Sequence, residues 1–290
     1  MIVVAVAGGT GGVGKTIVEQ LQLSKKHEVI LLSRKASATP ASGGAKIVLA
    51  DYGNIEALSL LLEEHKVETV ISTIGLMGAE AIQSQLNLIA AADKAKSTHR
   101  FVPSEFTVYV SPDDSNAAAF GAWLDAAAAL KKTGLTHTRV INGWFMDYFG
   151  MPHTPSNLTP HAWALMTMTY SVDVARFVVR MLADTDWPEV SIISGSDTTF
   201  NKILEIAEKA TGAKFDVVYD GEEKLRNGQA TVWSTDYGAG PASVEETQAM
   251  MALFGLMSVK GRILVPEGNR LNDKYPEIHP VGIEELLTEA

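Results

Sequence analysis

The chain has 290 residues, a formal net charge of −10, 46% hydrophobic and 20% charged residues, and no cysteine. This is a globular composition, long enough for one large domain or two smaller ones. It excludes disulfides, thiol nucleophiles and Cys-ligated metals, and the acidic balance without a basic stripe argues against nucleic acid or an anionic membrane as partner. No apolar run approaches the ~20 residues that span a bilayer. The apolar start lacks a basic leader, so a cytoplasmic protein is expected.

Residues 2–7 (IVVAVA) form an apolar, β-branched run without charge, which predicts a strand buried on both faces. It opens into Gly8, Gly9, Thr10, Gly11, Gly12, Val13 and Gly14, with glycines at 8, 11 and 14 in a G-x-x-G-x-x-G pattern. Glycine allows a tight strand-to-helix turn and lets phosphate oxygens approach the backbone. The following helix start would face them with free N–H groups. Residues 9–16 also satisfy the P-loop pattern G-x-x-x-x-G-K-[ST] of nucleotide hydrolases, and residues 47–51 (IVLAD) resemble a magnesium-holding strand end. Three features favour a dinucleotide. Gly8 sits at the strand end. The next predicted strand, 28–32 (EVILL), runs into Ser33, Arg34 and Lys35, and basic residues there suit the 2′-phosphate of NADP rather than the bare ribose of NAD. The later strands also keep a dinucleotide-fold spacing.

The predicted elements then alternate. A helix over 13–23 precedes the second strand. Next come a strand over 46–50 (KIVLA), a helix over 55–65 and a strand over 68–72 (ETVIS) running into Thr73, Ile74 and Gly75. A long helix over 79–96 leads to a short strand over 100–102. A helix over 117–132, stopped before Gly134, leads to a sixth strand over 135–141. This alternation predicts a doubly wound parallel sheet with helices on both faces. Beyond about residue 143 the pattern loosens. Residues 151–160 read as a proline-rich loop. Helices are predicted over 171–184, 199–211 (capped by Thr199, stopped by Gly212) and 243–257, with strands over 190–193 and 215–219 (FDVVY). The expected organisation is α/β: a Rossmann-type dinucleotide-binding domain over 1–150 and a smaller substrate lobe over 151–290 that does not fold independently.

Residues 100–106 (RFVPSEF), taken with GGTGGVG at 8–14, Ser33-Arg34-Lys35 and Asn142-Gly143-Trp144-Phe145, resemble the NmrA-like and isoflavone-reductase-like branch of the atypical short-chain dehydrogenases. The segment 171–176 (SVDVAR) extends the likeness, which covers most of the chain and is similar in flavour to fungal members of pigment and aromatic metabolism. The resemblance implies that Gly8, Thr10, Gly11, Gly12, Val13 and Gly14 contact the pyrophosphate of NADP(H). It implies that Arg34 and Lys35 hold the 2′-phosphate, that Asp51 and Tyr52 lie near adenine, and that Thr73, Ile74 and Gly75 pass under the ribose. Ser104, Glu105 and Phe106 would flank the nicotinamide, with Asn142 to Phe145 closing that end.

Two departures stand out. Reductases of this family carry a catalytic lysine on the helix after the PSEF segment, and the matching position here is Trp123; the helix has no lysine before Lys131. Thr107 stands where family members commonly have glycine. The Tyr-x-x-x-Lys pair of ordinary short-chain dehydrogenases is also missing. Hydride transfer to a carbonyl needs a proton donor near the developing alkoxide, so Tyr109, after the PSEF loop, and His153, in the proline-rich loop, are the candidates. Trp123 is expected to line the pocket and stack on an aromatic ligand, or else to be a core residue. Asp147, Tyr148, His137 and His161 are weaker candidates. The Met166/Met168 and Met250/Met251 pairs read as adaptable core. No His, Asp or Glu spacing suggests a metal site.

The leading expectation is an NADP-dependent oxidoreductase of a small aromatic or polyketide-like metabolite, working as a monomer or homodimer. The alternatives are a non-catalytic NADP-binding redox sensor of the NmrA type, and a non-redox enzyme (isomerisation, cyclisation or cleavage) on the same fold.

Overall fold

The structure, a computed structural model, describes residues 1–35, 44–114, 117–150, 166–232 and 243–288. These residues cluster into two compact units that interleave along the chain. The first holds Met1–Phe106, Val110–Ile141 and Ala175–Ser191, and the second holds Thr107–Tyr109, Asn142–Val174 and Ile192–Ala290. The chain therefore passes from one unit to the other several times, first at Phe106 and again at Ile141, and residues 175–191 return to the first unit.

The first unit begins with β1 (Ile2–Ala7), α1 (Gly12–Ser24), β2 (His27–Ser33), β3 (Lys46–Leu49), α2 (Ile55–Glu64), β4 (Val67–Ser72) and α3 (Ala79–Lys94). It continues through β5 (Arg100–Val102), α4 (Gly121–Leu130), β6 (Thr136–His137) and β7 (Arg139–Ile141). Six strands form one parallel sheet in the order β3-β2-β1-β4-β5-β6. Helices cover both faces of such a sheet, so its inner strands carry unbroken apolar runs: Val4 to Ala7 of β1 and Ile30 to Leu32 of β2 are buried. Leu58 and Leu62 of α2 and Leu88, Ile89 and Ala92 of α3 pack in the same core as Ala5, Ile30 and Val70. This strand order is built from two mononucleotide-binding halves, and it reverses between β1 and β4. Ligands of open α/β sheets bind outside the carboxyl ends of the strands at that reversal.

The single strand expected over 135–141 is two strands. Only β6 joins the sheet. The chain turns at Thr138, whose hydroxyl bonds to Ser191 Oγ at 2.9 Å, and the Arg139 N–H then donates to the Glu189 carbonyl at 2.9 Å. The helix expected over 117–132 starts as a 3₁₀ turn over Ala117–Phe120 and becomes α-helical only at Gly121.

In the second unit, β8 (Trp144–Phe145), the short α5 (Asp147–Gly150) and β9 (Met166–Thr169) come first. The chain then passes through α6 (Ser171–Met181) and β10 (Val190–Ile192), most of which belong to the first unit. It returns for β11 (Ser196–Thr198), α7 (Phe200–Thr211), α8 (Glu222–Arg226), α9 (Val244–Val259), α10 (Leu271–Lys274) and α11 (Ile283–Thr288). β9 lies between β8, parallel, and β11, antiparallel. Met166 and Met168 are wholly buried there, as core. The expected caps form: Thr199 Oγ1 accepts from the Lys202 N–H, and Gly212 ends α7 in the left-handed conformation. Ser243 and Glu246 make a reciprocal capping box on α9. The strand expected over 215–219 does not form. Phe215, Val217, Val218 and Tyr219 are all exposed and pair with no strand among the described residues. A β-favouring composition specifies a strand only where an edge is available to pair with it.

Candidate functional site

The carboxyl ends of β1 and β4 are joined by one threonine. The Thr73 N–H and hydroxyl both donate to the Ala7 carbonyl, at 2.8 and 2.7 Å. Gly8, at φ +82°, lies so close that a Cβ there would meet the Thr73 carbonyl oxygen at 2.6 Å; a Cβ on Gly14 would collide with Thr73 Oγ1. Two of the three patterned glycines thus serve the chain's own close packing. Gly11 differs: it is exposed and extended (φ −157°), and a Cβ there would meet nothing within 4 Å. The α1 N-terminus beside it has no side-chain cap and no acidic residue in its first turn. Its first N–H groups thus lack a side-chain acceptor, and with the positive end of the helix dipole they suit an anion. Thr10 is exposed, and Gly12 and Val13 are half-buried. Thr16, the residue a P-loop offers to magnesium, is buried on the core side of α1.

The carboxyl end of β2 carries the cations. Ser33 Oγ accepts from the Lys35 N–H at 3.2 Å and donates to the Lys35 carbonyl at 2.9 Å, making a tight turn. Arg34 and Lys35 project from it exposed; the Arg34 side chain is 73% accessible and lies 3.9 Å from Glu80. After β3, Asp51 is exposed and accepts from the Gly53 N–H at 2.9 Å. Tyr52 is buried, and its phenol donates to the Leu32 carbonyl at 3.1 Å. Asn87 Nδ2 donates to the Tyr52 carbonyl at 2.8 Å. Burial pushes the Tyr52 phenol up in pKa, with the Arg34 cation acting against it. Its hydroxyl is thus a structural tie to the end of β2.

Past β4, Ile74 is half-buried and Gly75 exposed. The loop after β5 is pinned in several places. The Ser104 N–H donates to Gln85 Oε1 at 2.8 Å, and Ser104 Oγ donates to the Ile74 carbonyl at 2.8 Å. Glu105 accepts from Arg139 Nε at 2.7 Å and from Arg139 Nη2 at 2.6 Å, with both side chains about 95% or more buried. Arg139 thus engages both oxygens of the Glu105 carboxylate. Burial pushes the Glu105 carboxyl up in pKa, and Arg139 pulls it back. Phe106 is buried at φ +44°. A bulky residue in that region costs on the order of 1–3 kcal/mol and persists only where its surroundings hold it. Trp123, in the first turn of α4, is half-buried and stacks on Phe120, with ring centroids 5.0 Å apart and planes 14° apart. Lys131, at the end of α4, pairs with Glu189 at 2.8 Å in solvent and holds that carboxyl below its usual range.

Tyr109 and Asn142 belong to the second unit. Tyr109 is 37% exposed. The Asn142 and Gly143 N–H groups both donate to the Thr107 carbonyl, at 3.1 and 3.2 Å, so Thr107 works through its backbone. Asn142 is fully buried, and its Oδ1 has no hydrogen-bond partner among the described residues. Asp147 accepts from both the N–H and the hydroxyl of Ser171, at 2.8 and 2.6 Å, which caps the start of α6. Burial pushes the neighbouring Tyr148 phenol up, with Asp147 adding to the shift. His137 in β6 meets the Leu135 carbonyl at 3.0 Å. His153 and His161 lie outside the described residues.

Sequence reasoning missed Gln85, Arg139 and the double tie of Thr73. Two signals were present. Gln85 is a polar residue at helical spacing from Leu88 and Ala92 on the core face of α3, and Arg139 is a charge next to the apolar Val140 and Ile141. Nothing local foretells the Thr73 contact, which spans 66 residues. Among the described residues no group of His, Asp and Glu is placed to hold a metal, and no helix is long and apolar enough to cross a membrane.

A family model described as the NmrA-like family matches residues 2–263. The oxidoreductase BOA1 of Botryotinia fuckeliana is 37% identical over 74% of this chain and 78% of its own length. The oxidoreductase swnN of Metarhizium robertsii is 30% identical over 99% of this chain and 96% of its own length. Among solved structures, a ternary complex of leucoanthocyanidin reductase from Vitis vinifera superposes with a TM-score of 0.76 at 20% identity, covering 99% of this chain and 98% of that one. A structure of AtPrR2 with NADP+ and (+)-pinoresinol superposes with a TM-score of 0.75 at 20% identity and the same coverage. At that identity the likeness is one of fold.

Proposed function

The chain belongs to the NmrA-like family, and from that footing we propose that it is an NADP(H)-dependent oxidoreductase acting on a small aromatic or polyketide-like metabolite. One observation carries the cofactor half: open space over Gly11 at an uncapped, acid-free helix start, on the same sheet edge as the exposed Arg34 and Lys35. In this reading the α1 N-terminus binds the diphosphate, and the two cations receive the 2′-phosphate. Asp51 and the Tyr52 backbone border the adenosine, Thr73 to Gly75 the ribose, and Ser104 to Phe106 the nicotinamide. When bound, the cofactor supplies or accepts a hydride. Tyr109 is the proposed proton donor, since Lys131 is tied to Glu189. The aromatic character of the substrate is supported by the Trp123–Phe120 stack and by the names of relatives such as eugenol synthase 1 of Petunia hybrida.

The test is fluorescence titration of NADPH and NADH against the wild type and Arg34→Ala. The wild type should prefer NADPH about tenfold or more, a difference of ~1.4 kcal/mol, and the variant should lose that preference. A preference that survives the substitution overturns the role of Arg34. Consumption of NADPH across a panel of aromatic aldehydes and ketones tests turnover, and silence across the panel counts against the enzyme reading.

A further inference from the structure

We propose that Arg139 and Gln85 are positioning residues: they hold the 104–106 loop in the one conformation that receives the nicotinamide half of NADP(H). The inference rests on the cofactor reading above and adds to it two residues that lie off the glycine loop and off the cation cluster.

The strand order places one mononucleotide half over β1 to β3 and the other over β4 to β6. With the cations at the end of β2, the second half of the dinucleotide falls to the ends of β4 and β5. The loop after β5 is held far more tightly than chain continuity requires. Gln85, 1% exposed, takes the Ser104 N–H. The Ile74 carbonyl takes the Ser104 hydroxyl. Arg139 grips both oxygens of Glu105 and spends a further N–H on the Val110 carbonyl at 3.2 Å. One guanidinium thus ties the two ends of the 105–110 segment.

A buried ion pair is a poor way to gain stability, because apolar side chains of the same volume do as well or better. What the pair supplies is geometry: a planar fork fixes the angle as well as the distance, which a lysine cannot do. The object so fixed is Phe106, a bulky residue at φ +44°. Backbone strain of this kind collects at ligand clamps and lasts only where neighbours over-determine it. The Ser104–Ile74 bond then passes the restraint to Thr73, against which Gly8 and Gly14 pack. The nicotinamide end and the diphosphate end therefore share one bonded framework.

The experiment compares two probes on the whole chain. NADPH spans the entire site, whereas adenosine 2′,5′-bisphosphate stops before the nicotinamide. Arg139→Lys and Gln85→Leu should raise the Kd for NADPH about tenfold while moving that for the bisphosphate less than about twofold. Thermal unfolding is followed alongside. A merely structural role would lower the melting temperature and weaken both probes together, and that result, or no change in either, overturns the inference. Hydrogen exchange on the wild type needs no variant. NADPH should slow exchange across 104–106 and the bisphosphate should not; equal effects overturn the inference even if both variants fail to fold. If the wild type binds the bisphosphate but not NADPH, the inference fails with the cofactor reading. If NADPH binds and both variants behave as wild type, only the inference fails.

Discussion

A Cβ on Gly8 would sit 2.6 Å from the Thr73 carbonyl oxygen, with the backbone of Gly8 at φ +82°. Both facts forbid a side chain there. Gly8→Ala is expected to destabilise the chain by on the order of 1–3 kcal/mol, read as a lower urea midpoint. Gly11→Ala is expected to behave in the opposite way. Its backbone is extended and its Cβ meets nothing, so stability should hold or rise by about 0.4–1 kcal/mol. NADPH binding should weaken, because the methyl fills the space given to the diphosphate. A Gly11→Ala variant that binds NADPH as tightly as wild type would remove Gly11 from the site.

Tyr52 links two strand ends through its phenol and the Leu32 carbonyl. Tyr52→Phe leaves the ring in place and removes only that donor, at a cost of about 1 kcal/mol. Since Arg34 follows Leu32 by two residues, the substitution should also erode the preference for NADPH over NADH. Unchanged selectivity together with the stability loss would make the phenol purely structural.

Lys131 and Tyr109 give opposite expectations in the turnover assay. Lys131 sits in a solvent-exposed pair with Glu189, so Lys131→Met should change stability by no more than about 1 kcal/mol and leave NADPH consumption intact. Tyr109→Phe should reduce consumption by a factor of about 10² or more, the usual contribution of a positioned proton donor. The reverse pattern would restore a lysine as the acid and discard the phenol.

His27 predicts an acid-side loss of stability. Its pKa is lowered from 6.5, first by burial and then by the Arg100 cation. The unfolded chain therefore takes up the proton more readily than the folded one, so stability is full above pH 6.5 and falls as pH drops through the lowered folded value. Melting curves between pH 7.5 and 5 should show this decline, and His27→Gln should flatten part of it. A variant with the wild-type slope would assign the decline to other groups.

Much of the first unit was legible in the residues alone. β5 falls at the predicted 100–102, and β1 at the predicted 2–7. Strand and helix periods are local properties, and so are caps such as Thr199. The misread elements all depend on a distant partner. FDVVY at 215–219 has strand composition but no edge to pair with, and the strand over 135–141 breaks where Thr138 finds Ser191. The Arg139–Glu105 pair, which joins residues 34 positions apart, is equally invisible to local pattern.

By itself, then, the order of residues determined a parallel α/β sheet, a glycine turn into a helix start, and cations after the second strand. Each is written in spacings of a few residues, where backbone sterics and apolar periodicity act. Tertiary structure alone decided which polar groups remain available. Thr73 takes the space beside Gly8 and Gly14, Arg139 takes the Glu105 carboxylate, Leu32 takes the Tyr52 phenol, and Gly11 is left open. A hydrogen-bond partner across a fold is chosen by packing, and packing is set by residues far apart in the chain.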